Sequence, residues 1–100
     1  MTAVAADYGF PYEHVPNSTT GQVLGGAGAK GDYLHRIIVT VNATATSTVN
    51  IIDGAFSHGI VRANTPIGVY PIEINAKSAT SGWSVTTGAG AEVLAMGNFT

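Results

Sequence analysis

The chain has 100 residues, 45% of them hydrophobic and 10% charged, with four Lys and Arg against six Asp and Glu. That length fits one domain with a modest core, and a formal net charge of −2 leaves too little basic charge to neutralise a nucleic-acid backbone. There is no cysteine, which excludes a disulfide framework and a thiolate metal site, and no apolar run approaches the roughly 18–20 residues of a membrane span.

Residues 1–20 show no clear period. The segment has no basic start and meets Asp7 early, so it does not read as a signal peptide, and a soluble cytoplasmic product is expected. Tyr8, Phe10 and Tyr12 follow at spacing two, with Pro11 and Pro16 nearby. Proline fixes φ and withholds a donor, so the segment reads as an extended arm rather than a helix. Three aromatics on an arm need an apolar landing place, either on their own sandwich or on a neighbouring subunit. Tyr8, Phe10 and Tyr12 are therefore the candidate protein-interface residues. Asn17-Ser18-Thr19-Thr20-Gly21 reads as a turn. The expected division is residues 1–20 as arm and 21–100 as β-sandwich domain.

After a short strand at Gln22-Val23-Leu24 comes a glycine-rich run with a literal G-x-G-x-x-G from Gly26 to Gly31. A dinucleotide site needs a helix after that motif, and the residues that follow are β-branched. A flexible loop is expected instead.

Residues 32–42 form the strongest strand. Ile37, Val39 and Val41 are expected to share the core face with Tyr33 and His35, leaving Leu34, Arg36, Ile38, Thr40 and Asn42 on the other. Residues 48–53 make the next strand, closed by the turn signal Asp53-Gly54, and residues 56–63 a shorter one. In residues 69–75, Tyr70, Ile72 and Ile74 alternate with Pro71, Glu73 and Asn75. Pro71 cannot donate to a ladder, so this strand belongs at a sheet edge. The run from Gly82 to Phe99 reads as a closing β-hairpin around Gly88-Ala89-Gly90. Trp83, the single tryptophan, is its largest anchor. The expected core is Trp83, Val85, Ile37, Val39, Val41 and Phe99. Six or seven short strands at regular spacing predict an all-β, single-domain antiparallel sandwich or barrel.

No catalytic constellation is legible. His14, His35 and His58 are dispersed, the carboxylates are scattered, and Asp32 and Asp53 sit in turns beside glycine. There is no G-x-S-x-G elbow. No cofactor, metal or enzymatic activity is expected. Three N-x-S/T matches, at Asn17, Asn42 and Asn98, are read as chance.

The run Gly31-Asp32-Tyr33-Leu34 leading into an Ile/Val/Thr strand, the strand ending at Asp53-Gly54, the run Gly82-Trp83-Ser84-Val85-Thr86-Thr87-Gly88 and the closing Gly97-Asn98-Phe99 together resemble small β-sandwich proteins of tailed-bacteriophage virions. The resemblance covers residues 21–100 and implies a jelly-roll-like sandwich with a structural role. On that basis the expected function is a capsid decoration (cement) protein on the virion surface, assembled in the host cytoplasm. Its partners would be the major capsid protein and further copies of itself. Independently, so few charges on a domain surface imply cover by neighbouring subunits, with a trimer favoured. The alternatives are a tail, fibre or baseplate component, and a small carbohydrate-binding sandwich using Trp83 and the tyrosines as a stacking platform.

Overall fold

A computed structural model describes residues 11–44 and 47–100. They form eight strands: β1 (Tyr12–Val15), β2 (Gln22–Val23), β3 (Tyr33–Val41), β4 (Val49–Asp53), β5 (Phe56–Val61), β6 (Gly68–Lys77), β7 (Trp83–Thr86) and β8 (Ala91–Asn98). Every pairing is antiparallel. Sheet I has the order β1-β8-β3-β6 and sheet II the order β2-β7-β4-β5. Two four-stranded sheets interleaved in this order are a jelly roll, so the expected all-β sandwich is the fold.

Alternation explains the layers. β8 buries Ala91, Val93, Ala95 and Gly97 and turns Glu92, Leu94 and Met96 outward; β7 buries Trp83 and Val85. Ile37, Val39, Val41, Val49, Ile51 and Val85 meet between the sheets, none more than 3% exposed. Trp83 is 5% exposed, and Phe99 packs partly buried against this core. The indole N–H donates to the Asp32 carbonyl at 3.0 Å, which satisfies the ring's one polar atom. Five of the expected core residues, Trp83, Val85, Ile37, Val39 and Val41, are buried, whereas Phe99 lies beyond the end of β8 and is only partly buried.

Three expectations change. First, Trp83–Thr86 and Ala91–Asn98 are not a hairpin: β7 pairs with β2 and β4, whereas β8 pairs with β1 and β3. The glycine-containing link between them crosses from one sheet to the other. It is held to the other loops at that end, with Ser18 N–H donating to the Gly88 carbonyl and Asn42 N–H to the Gly90 carbonyl. The hairpin joins β4 and β5 instead, across Asp53-Gly54. Second, the register of β3 shifts between Leu34 and Arg36 against both neighbours. A bulge moves every side chain beyond it to the opposite face, so Leu34 is fully buried while Tyr33 and His35 are only half-buried. Third, the sandwich begins before residue 21. Tyr12–Val15 pairs with Val93–Met96, and Val15 is fully buried. The extended conformation expected of this stretch is a strand of sheet I.

Candidate functional site

The outer face of sheet I follows from its register. Tyr12 lies opposite Met96, which lies opposite Arg36, which lies opposite Glu73. One step along, His14, Leu94, Ile38 and Pro71 form the next row, and Val69 stands opposite Thr40 beyond it. Because residues opposite one another share a face, Tyr12, Met96, Leu94, Ile38, Pro71 and Val69 form one diagonal apolar band across all four strands. Tyr12 is 69% and Val69 62% exposed. Between these two ends Ile38, Leu94 and Met96 are half-buried. The rim of the band is polar: His14 Nε2 lies 3.2 Å from Glu92 Oε1, and Arg36 sits between Met96 and Glu73 with its Nε buried and without a hydrogen-bond partner.

Beside the band, the β3 bulge gathers polar groups. Asn75 adopts φ 51°, a left-handed conformation that asparagine tolerates better than most residues. Its Oδ1 accepts from Tyr33 OH at 2.8 Å and lies 3.0 Å from His35 Nδ1, and its Nδ2 donates to Glu73 Oε2 at 3.5 Å.

The flank between β5 and β6, an edge strand of each sheet, is the second apolar surface. A groove of about 460 Å³ there is lined by Ile60, Val61, Tyr70 and Ile72, with Arg62 and Thr65 at its rim. Phe56 and Ile67, at 61% and 60% exposure, stand outside.

The two buried carboxylates are structural ties. Asp53 Oδ2 accepts from Ala79 N–H at 2.7 Å, and Oδ1 from Thr80 and Ser81 N–H at 3.1 and 3.0 Å. Burial pushes this carboxyl up, but the three amides, with the charge of His58, outweigh it and hold the pKa below the usual carboxylate value. Asp32 accepts from Ala29 N–H and from both the N–H and hydroxyl of Thr100. Burial again pushes upward and the Thr100 and Ala29 bonds win, so its pKa is also lowered. Each is saturated with donors and neither is free to move a proton. The turn chemistry expected for both is present, and burial gives it a larger role than a solvated turn would have.

The glycine-rich loop leads into strand β3, not a helix. A Cβ built on Gly82 would lie 2.4 Å from Gly28 Cα, so glycine at both positions lets this loop close against the segment entering β7. Among the described residues, no group of three His, Asp or Glu side chains is placed to hold a metal.

Of the candidate interface residues, Tyr12 lies on the apolar band, whereas Tyr8 and Phe10 fall outside the described residues. Trp83 is core and offers no surface for stacking a sugar. Sequence reasoning missed Ile38, Leu94 and Met96. Their signal was the pair of unbroken apolar runs Ile37-Ile38-Val39 and Val93-Leu94-Ala95-Met96, which mark strands apolar on both faces. Comparison of the chain with protein-family models, curated proteins and solved structures returns no match.

Proposed function

We propose that this protein is a structural assembly module, a capsid decoration protein of a tailed-phage virion that binds the shell through the outer face of sheet I and associates with further copies of itself. The observation that carries the reading is the apolar band from Tyr12 through Met96, Leu94 and Ile38 to Val69. These side chains serve no core, and on a chain with 10% charged residues they would be costly to leave in water. The band crosses four strands in register, is bordered by polar groups, and so has the layout of a protein interface with an apolar centre and a polar rim. The virion assignment rests on the resemblance of the glycine, threonine and tryptophan runs described above.

The test is occupancy on particles that lack the protein. Wild-type chain should saturate capsids and raise the temperature at which they rupture. Leu94→Glu, which puts a charge in the centre of the band and leaves the core untouched, should remain folded by circular dichroism yet lose occupancy by tenfold or more, as truncation of central interface anchors does. Binding to tails alone would favour the fibre or baseplate role. Equal occupancy of shells by Leu94→Glu and wild type would refute the outer face as the attachment surface.

A further inference from the structure

The groove between β5 and β6 has its own chemistry. Its walls, Ile60, Tyr70 and Ile72, are half-buried and pack on the core from one side only. Its rim is fixed in place: Tyr70 OH donates to the Pro66 carbonyl at 2.7 Å and Thr65 Oγ1 to the Arg62 carbonyl at 2.6 Å. Arg62 is exposed there, and the one ion pair among the described residues is His14–Glu92. An apolar wall under a cation with no carboxylate partner among the described residues fits a segment bearing aromatic or aliphatic side chains next to one acid. The first ten residues have that composition, with Asp7 followed by Tyr8 and Phe10. In an extended chain Tyr8 and Phe10 point to one side and Asp7 to the other, so the rings can face the wall while the carboxylate faces the rim.

A copy's own segment does not reach. Pro11 is level with Gly97, whose N–H donates to its carbonyl, and Gly97 is in row with Leu34 and Ala76. From there to Tyr70 in the groove is three strand spacings across sheet I and six residues along it, or about 24 Å at the usual strand dimensions. Asp7 is four residues before Pro11 and extends about 13 Å from it, and any path around the sandwich is longer than the straight line.

We propose that residues 1–10 of one copy lie in the β5–β6 groove of the next, with Tyr8 and Phe10 against Ile60, Tyr70 and Ile72 and Asp7 paired with Arg62. This deepens the self-association part of the reading above and rests on it. The contact joins two different surfaces and is therefore head-to-tail, the kind that closes into a ring when the rotation permits.

The test uses the full chain and charge reversal at two exposed or terminal positions, followed by light scattering across a concentration series. Arg62→Glu and Asp7→Lys should each raise the dissociation constant of the oligomer by about tenfold or more, with unchanged circular dichroism. The double variant, which restores the pair with its signs exchanged, should recover most of the loss. Singles that assemble like wild type, or a double no better than the singles, would overturn the proposal while leaving self-association intact. A wild-type chain that stays monomeric at high concentration would overturn both.

Discussion

Asp53→Asn is the most informative single substitution for the fold. The side chain keeps its size, and Oδ1 can still accept from the Thr80 and Ser81 amides. The other terminal atom becomes an NH2 facing the Ala79 N–H across a 2.7 Å gap, donor against donor. Two hydrogen bonds fall from charged to neutral strength, a loss of about 1 kcal/mol each, and one amide is left without an acceptor at about 1–3 kcal/mol. The sum, about 3–5 kcal/mol, is a large share of the 5–15 kcal/mol typical of a domain. Urea unfolding followed by the fluorescence of Trp83 measures it. With a slope near 1 kcal/mol/M for a chain this size, the midpoint should fall by about 3 M or more. The pH dependence supplies a second check. Folding lowers the Asp53 pKa, so its contribution is complete above the unfolded value near 3.9 and drains away as pH falls through the folded value. The gap between wild type and Asp53→Asn should therefore be widest at neutral pH and narrow toward pH 2. A neutral-pH gap under about 0.5 kcal/mol, or one that does not narrow in acid, would refute the assignment of Asp53 as the tie between β4 and the β6–β7 connection.

Gly97→Ala should destabilise the fold by about 1–3 kcal/mol or more, as overpacking does. Its Cβ would meet the Tyr33 carbonyl, which cannot swing aside, and the Phe99 ring at 2.9 Å; an unchanged melting temperature would contradict the packing described. Pro71→Val should leave the fold intact but promote open-ended association in prolonged incubation, measured by light scattering, because it returns an N–H to the free edge of β6. A suspension no larger than wild type would show that Pro71 does not guard that edge.

What the sequence made legible was whatever depends on neighbours in the chain. Val, Ile and Thr at period two marked β3, β4 and β6; Asp53-Gly54 marked the hairpin turn; and Pro71 marked an edge strand, which β6 is. Pairing is a long-range property. Gly88-Ala89-Gly90 between two extended runs satisfies the local criteria for a hairpin, yet β7 and β8 find better partners in strands that come earlier in the chain. The β3 bulge was equally invisible, because His35 carries none of the glycine or proline that marks irregular strands. The clue lay across the sheet in Asn75, whose tolerance of positive φ lets β6 follow the bulge. Of the candidate site, Tyr12 was legible as one of three aromatics at spacing two that need an apolar landing place. The band it belongs to required the register that brings Met96, Leu94 and Ile38 beside it.

The edges of this sandwich explain why its contacts should be made by faces and grooves. A jelly roll of two open sheets has four edge strands, here β1, β6, β2 and β5, and each is a template for pairing with another chain. All four are blunted. β1 has four residues and β2 only two. β5 is irregular where Val49 and Asn50 face Val61 and Gly59. β6, the longest at ten residues, carries Pro71 mid-strand and the Asn75 kink. With the edges blunted, the outer face of sheet I and the β5–β6 groove are surfaces on which side chains rather than backbone would select a partner. Association through such surfaces needs a partner of complementary shape and ends in a closed ring when the rotation permits, whereas an open edge can pair with any strand. With so little charge to hold copies apart, blunted edges are what keep non-specific strand pairing from taking over.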